Sequence, residues 1–184
     1  MDFPAAFLQS DFNPSVPLFY NYGRIGCIVG HEITHGFDNE GSKFDENGQL
    51  RNWWNNETFE KFLEKTQCIV EQFDNIVDPI SGLNLDGNQT LGENMADLGG
   101  IKIAFTAFQS MLSQKRSDTS QNLPGFGKYI PDQMFFLAYA SIQGGRAFEE
   151  YSRICSSIFM SCWESNESIT SMQILVALGQ HAFV

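Results

Sequence analysis

Two of the three histidines in this 184-residue chain stand four residues apart, and a glutamate directly follows the first. They lie in Gly-Arg-Ile-Gly-Cys-Ile-Val-Gly-His-Glu-Ile-Thr-His-Gly-Phe-Asp, residues 23–38. Side chains four apart on a helix share one face, with about 5–6 Å between Cβ atoms. A helix over about residues 24–36 would therefore let the imidazoles of His31 and His35 converge on one metal ion.

Zinc is the metal that this pattern favours. It binds imidazole nitrogen readily, and a catalytic zinc takes three protein ligands and keeps one position for water. Glu32, one residue past the first candidate ligand, suits the role of general base toward that water. The alternative is a core helix whose histidines are satisfied by ordinary hydrogen bonds. Two histidines in register favour the metal, because the rest of the chain holds only His181.

A second acidic pair lies in Thr-Leu-Gly-Glu-Asn-Met-Ala-Asp-Leu-Gly-Gly, residues 90–100, ahead of an apolar stretch of helical character. Glu93 and Asp97 are also four apart, so they share a helical face. One carboxylate can complete the zinc site, and the other can accept the N–H of a ligating histidine. Taken alone, such a pair is more typical of a solvated helix face.

The two motifs together closely resemble the neprilysin and endothelin-converting-enzyme family of zinc endopeptidases. Shorter matches are Phe-Pro-Ala-Ala-Phe-Leu-Gln near the start, Asn-Trp-Trp at 52–54, Leu-Pro-Gly at 123–125 and Phe-Phe-Leu at 135–137. The resemblance implies that Glu93 is the third zinc ligand beside His31 and His35. It implies that Asp97 orients a zinc-bound histidine and acts as a proton donor. The implied fold is a mainly α, thermolysin-like zincin (gluzincin) catalytic domain, present here in part.

The implied function is that of a zinc-dependent metalloendopeptidase, with Glu32 and Asp97 as catalytic residues and oligopeptides as substrates. The family also has a histidine that stabilises the oxyanion and an arginine that grips the substrate. Aligned from either side, their positions fall on Glu167 and Gln173, or on Ser161 and Glu167. The alternative is therefore a catalytically weak or silent peptidase-like binding module that retains the zinc site.

Residues 1–184 are expected to form a single partial peptidase domain, family-like over 3–142 with a divergent tail over 143–184. The chain is expected to be part of a longer protein or a shortened gene product. The hydrophobic content of 42% is enough for a real core. The net charge of −11, with scattered basic residues, makes nucleic acid and acidic lipid poor partners. Oligomeric state is left open.

The sequence holds no apolar run of the roughly 18–20 residues that a membrane helix needs, and no signal peptide. The resemblance implies an extracellular or membrane-anchored ectodomain. Four cysteines leave the redox compartment open, and Cys27 is expected to be a small buried residue. N-glycosylation patterns begin at Asn56, Asn88 and Asn166 and matter only in a secreted chain.

Periodicity predicts three further helices, over about residues 55–75, from about 90 to 111 or 114, and over 133–142. Polar, Gly- and Pro-containing stretches predict loops over 38–48, 78–89 and 115–132. Residues 1–22, which contain three of the six prolines, are expected to be irregular and mostly extended.

Overall fold

Helices dominate the part of the chain that the computed structural model describes, residues 8–9, 12–78, 81–114 and 125–142. The α-helices are α1 (Leu18–Asn21), α2 (Cys27–Thr34), α3 (Asn56–Asp74), α4 (Leu91–Gln114) and α5 (Pro131–Ile142). Within the described ranges, β pairing is limited to two isolated bridges, Phe44 with Leu50 and Val77 with Asn84. None of the described helices is both long and apolar enough to cross a lipid bilayer.

The three helices predicted from periodicity are confirmed as α3, α4 and α5, with ends that shift by one or two residues. The Asn55 side chain accepts a hydrogen bond from the Thr58 amide at 2.8 Å and caps α3. Helix α5 starts at Pro131 rather than Gln133, because proline is well tolerated at the first helical position.

The expectation of an extended entry over residues 1–22 is wrong from Leu18 onward. There α1 begins, and a π-helical segment, Tyr22–Gly26, joins it to α2. Residues 8–9 are also helical. Helix α1 begins directly after Pro17, and its Phe19 is 2% exposed in the core. A 3-10 turn, His35–Phe37, ends the helical path close to the predicted stop at residue 36.

Helix α4 lies between two hydrophobic clusters. One packs aromatic and aliphatic side chains of α1, α2 and α5 against it and includes Phe19, Ile101, Phe108 and Phe135. The other joins it to α3 through Ile69, Val70, Leu91 and Leu98. A helix with apolar residues on opposite faces is expected to be buried, and α4 is therefore a rigid support for its own polar side chains.

Helices α2 and α4 touch through their backbones. A Cβ atom added to Gly30 would lie 2.6 Å from the carbonyl oxygen of Gly100. A Cβ atom added to Gly100 would lie 2.6 Å from the backbone nitrogen of His31. Only glycine allows this approach, which brings the side chains of the two helices together beside the contact.

The loop after α2 folds back on the helix. The indole N–H groups of Trp53 and Trp54 both donate to the carbonyl oxygen of Ser42, at 3.0 and 2.8 Å. Ser42 itself is buried, and a 3-10 turn, Gly41–Lys43, surrounds it. The backbone N–H of Ser42 donates to the Asp38 carbonyl oxygen at 3.0 Å, which connects these contacts to the start of the loop.

Candidate metal centre

The imidazoles of His31 and His35 meet through their Nε2 atoms. One turn of α2 and the following 3-10 turn separate the residues, and their Nε2 atoms are 2.9 Å apart. The ring planes are nearly perpendicular, with an angle of 86° between them. Both side chains are partly buried, so the two nitrogens point into a shared space at the edge of the helix.

Glu93, in the first turn of α4, completes this group. Its Oε2 lies 3.3 Å from the His31 Nε2, and its Oε1 lies 3.7 Å from the His35 Nε2. The Glu93 side chain is 72% exposed, so it is accessible from solvent. Among the described residues, these three form the one cluster of three or more His, Cys, Asp and Glu side chains with metal-binding spacing.

The other nitrogen of each ring is held by an aspartate. Asp97, one turn after Glu93 on α4, places its Oδ1 2.9 Å from the His31 Nδ1. Asp38 places its Oδ2 2.7 Å from the His35 Nδ1. An ionised carboxylate only accepts hydrogen bonds, so both Nδ1 atoms must act as donors.

This arrangement directs two lone pairs at each other. A neutral imidazole that carries its proton on Nδ1 has a lone pair on Nε2. Two such nitrogens repel each other at 2.9 Å unless a proton or a cation stands between them. Histidines that bind zinc usually donate their other ring N–H to a carboxylate or a carbonyl oxygen, as both rings do here.

The distances among the three side chains suit a tetrahedral ion. Zinc binds nitrogen and oxygen ligands at about 2.0–2.2 Å, which separates neighbouring ligand atoms by roughly 3.3 Å at tetrahedral angles. The observed separations of 2.9, 3.3 and 3.7 Å lie on both sides of that value. The donor set of two imidazoles and one carboxylate fits zinc and leaves one coordination position free.

Asp38 is a site residue that the sequence reasoning missed. The residue is 5% exposed, and its Oδ1 accepts the backbone amides of Glu40 and Gly41 at 2.8 and 2.7 Å. Burial alone raises the pKa of Asp38, but the hydrogen bonds from His35 and from these amides outweigh it and hold the pKa below its usual range. Its position three residues after His35 was the available signal.

The acidic surroundings also act on His31. The hydrogen bond to Asp97 raises the pKa of His31, partial desolvation opposes this, and the negative charges of Asp97, Glu93 and Glu32 raise it further. A site that attracts protons in this way attracts other cations for the same electrostatic reason. Glu32 is exposed on α2 and contributes to this negative field.

The sequence of this chain is similar to known proteins. The sequence matches Peptidase family M13 over residues 1–157. It is 44% identical to neprilysin-21 of Caenorhabditis elegans over 142 residues, which are 77% of this chain and 18% of the relative. It is 43% identical to endothelin-converting enzyme 1 of Mus musculus over 141 residues, 76% of this chain and 18% of the relative. The chain belongs to Peptidase family M13.

The fold is shared with solved structures of this kind. The zinc metalloprotease Zmp1 of Mycobacterium tuberculosis, in complex with an inhibitor, matches with a TM-score of 0.67 and 31% identity. That match covers 95% of this chain and 26% of the Zmp1 chain. The predicted mainly α, zincin-like fold and the predicted neprilysin and endothelin-converting-enzyme relationship are confirmed.

M13 is a family of metallopeptidases, and this chain spans about a fifth of the length of the two relatives named above. The positions that align with the family's oxyanion histidine and substrate arginine lie outside the described residues. They are Ser161, Glu167 and Gln173. His181 and the two C-terminal cysteines also lie outside the described residues.

Replacing Asp38 by asparagine is expected to destabilise the metal-free chain by about 1–3 kcal/mol at neutral pH, since a buried charged acceptor is lost. The pKa of Asp38 is lowered in the fold, so its stabilisation is complete above the unfolded-state value of about 3.9. It disappears as the pH falls through the lower native pKa. Urea unfolding with a chelator present measures the free energy of unfolding of both chains. The difference between the unmodified chain and Asp38→Asn should shrink below about pH 4.

Glu46→Gln is the control for this measurement, because Glu46 is exposed on the same loop. It should unfold like the unmodified chain at every pH. A destabilisation by Asp38→Asn that is equally large at about pH 3 and about pH 7 would show that the charge of Asp38 is not the cause.

Proposed function

We propose that this chain is the metal-binding part of a zinc-dependent metalloendopeptidase that hydrolyses peptide bonds of oligopeptides. The observation that carries the proposal is the convergence of the two Nε2 atoms and the Glu93 carboxylate, while both Nδ1 atoms contact aspartates. In this proposal His31, His35 and Glu93 hold the zinc ion. Asp97 and Asp38 are positioning residues that fix the tautomer of each imidazole.

The bound zinc would supply Lewis acidity, which polarises a carbonyl oxygen and makes water more acidic. The chain's own residues handle the protons. Glu32, exposed beside His31, is proposed as the general base that takes a proton from the attacking water and delivers it to the leaving nitrogen. Asp97 keeps its hydrogen bond to His31 during these steps, and family resemblance further suggests that it donates a proton.

Peptides are the proposed substrates, and an extracellular or membrane-anchored ectodomain is the proposed location, both by analogy with the relatives. The domain organisation proposed from the sequence, a single partial peptidase domain over 1–184 with a divergent tail over 143–184, belongs to the same proposal. The zinc ligands do not depend on that tail, because all of them lie on α2, its 3-10 extension and α4.

A second candidate is a catalytically weak or silent module that binds zinc and peptide. It is favoured by one observation, the absence of a histidine and an arginine at the positions where the family resemblance expects them downstream of Gln143. The presence of Glu32 beside the proposed site disfavours it, since a purely structural zinc has no use for a base.

A metal-dependence assay tests the proposal. The metal-free chain should not cleave a quenched peptide that is cleavable on the amino side of hydrophobic residues. One equivalent of zinc should produce cleavage, and a chelator should remove it. Cleavage that persists at the same rate in chelator would contradict the proposal. Zinc binding without any cleavage would select the silent module.

A further inference from the structure

An aromatic groove lies on the face between the loop that follows the metal site and α3. Its volume is about 830 Å³. Its apolar lining includes Leu50, Trp54, Phe59, Phe62 and Leu63. The rings of Trp54 and Phe62 are 5.2 Å apart, and Leu50 and Leu63 are 71% and 48% exposed. We call this feature the aromatic groove.

Covering the exposed apolar side chains of the aromatic groove would remove apolar surface from water, which is favourable. The polar lining of the aromatic groove includes the charged side chains of Lys43, Arg51 and Glu64 and the amide side chains of Asn52, Gln67 and Asn88. Asn52 accepts the Trp54 backbone N–H at 3.3 Å, and Gln67 donates to Glu71 at 3.1 Å. A ligand that suits such a groove has apolar faces to pack on the rings and hydroxyl groups to pair with the amides. Sugars have both features.

Asn88 lines the aromatic groove and is also a potential attachment site for a glycan. It begins the triplet Asn88-Gln89-Thr90, which is the acceptor pattern for N-glycosylation. The triplet lies in the turn before α4, where Asn88 is exposed while lining the aromatic groove. Within the described part of the chain, the structure shows no hydrogen bond to the Asn88 side-chain amide.

The turn holds its shape without the Asn88 side chain. The Asp86 carboxylate accepts a hydrogen bond from the backbone N–H of Gln89 at 2.8 Å. The backbone carbonyl of Asp86 accepts the Thr90 hydroxyl at 2.8 Å, and Asn94 donates to that hydroxyl at 2.9 Å. A change at Asn88 therefore leaves the local hydrogen bonds intact.

A disulfide supports the compartment that this modification requires. Cys68 on α3 is disulfide-bonded, whereas Cys27 is a buried thiol outside any disulfide that donates to the Tyr22 carbonyl oxygen at 3.6 Å. The sequence predicted that Cys27 is buried. Disulfides persist in oxidising compartments such as the secretory pathway, which is also where N-glycosylation takes place.

We propose that Asn88 carries an N-linked glycan whose first sugars cover the aromatic groove. In the transfer, the Asn88 Nδ2 forms a bond to the anomeric carbon of a lipid-diphosphate-linked oligosaccharide. The bond between that carbon and the diphosphate oxygen breaks, the lipid diphosphate leaves, and the amide loses one proton to a base of the transferase. The proposal does not depend on the metal site.

The first test measures occupancy. The full chain, directed through the secretory pathway of cultured animal cells by an added signal peptide, is digested and analysed by mass spectrometry after glycosidase treatment in ¹⁸O water. The Asn88 peptide should carry the label, and Asn88→Gln should remove one glycan from the intact mass. Asn56→Gln is the matched control, because Asn56 begins the other acceptor triplet within the described residues, and the Asn88 peptide of this variant should still carry the label. An unlabelled Asn88 peptide, from secreted or cell-retained chain, would overturn the proposal.

The second test measures coverage of the groove. Enzymatic removal of the glycan should increase acrylamide quenching of tryptophan fluorescence in the chain that retains Asn88, because Trp54 lines the groove. Both arms are measured in chains that carry Asn56→Gln and Asn166→Gln, because a glycan at Asn56 would lie two residues from Trp54. Adding Asn88→Gln to that background should leave quenching unchanged by the treatment. Equal quenching before and after treatment of the chain that retains Asn88 would refute the packing of the sugars on the rings.

Discussion

Glu32→Gln should reduce zinc-dependent peptide cleavage by about 10²–10⁴-fold, the usual contribution of a general base. The amide has the same shape as the carboxylate but cannot take up a proton. Glu32 is not among the three side chains that converge, so zinc binding should remain close to that of the unmodified chain. The measurement is the initial cleavage rate of a quenched peptide at equal zinc occupancy, with zinc content determined on the same samples.

Glu60→Gln is the matched control for the charge change, because Glu60 is an exposed acid on α3. It should cleave at the rate of the unmodified chain. Equal rates for Glu32→Gln and Glu60→Gln would reject Glu32 as the base. If the unmodified chain also shows no cleavage while binding zinc, the silent module is the correct function.

Gly100→Ala should both destabilise the chain and weaken zinc binding. The added methyl group would lie 2.6 Å from the His31 backbone nitrogen and 2.8 Å from the Cys27 carbonyl oxygen. Both are backbone atoms of α2, so relief requires α2 and α4 to separate. Overpacking of this kind costs about 1–3 kcal/mol or more. The better helix propensity of alanine offsets about 1 kcal/mol of that cost.

Separation of α2 from α4 also moves Glu93 away from the two histidines, so the zinc dissociation constant should rise together with the loss of stability. Gly36→Ala is the control, because a Cβ atom there meets nothing within 4 Å. Urea unfolding without metal and competitive zinc titration measure the two effects. A Gly100→Ala chain that matches Gly36→Ala in both would contradict the close-contact account.

The sequence allowed the helices, and the grouping of His31, His35 and Glu93, to be predicted because both follow from local spacing. His31 and His35 on one turn, and Glu93 and Asp97 on another, need only a helix to share a face. The long apolar stretch after Asp97 likewise marks α4 without any knowledge of its neighbours. Each of these features depends only on residues that are close together in the sequence.

What the sequence did not reveal depends on contacts between distant segments. Nothing in Gly30 or Gly100 alone indicates that their backbones touch, because that follows from how α2 crosses α4. Asp38 lies in a polar stretch that predicts a loop. Its contact with the His35 ring arises because residues 38–41 fold onto His35. The start of α1 at Leu18 was missed because packing of Phe19 outweighs the proline-rich local sequence.

The most direct test of the account is the zinc content of the purified chain and of Glu93→Ala after equilibration with limiting zinc and a competing chelator. The unmodified chain should retain one zinc per polypeptide, and Glu93→Ala should retain markedly less, because it lacks the one proposed ligand from α4. Glu60→Ala, an exposed change on α3, should retain as much as the unmodified chain. A chain that retains no zinc, or a Glu93→Ala variant that retains it as tightly, would contradict a site built from two helices.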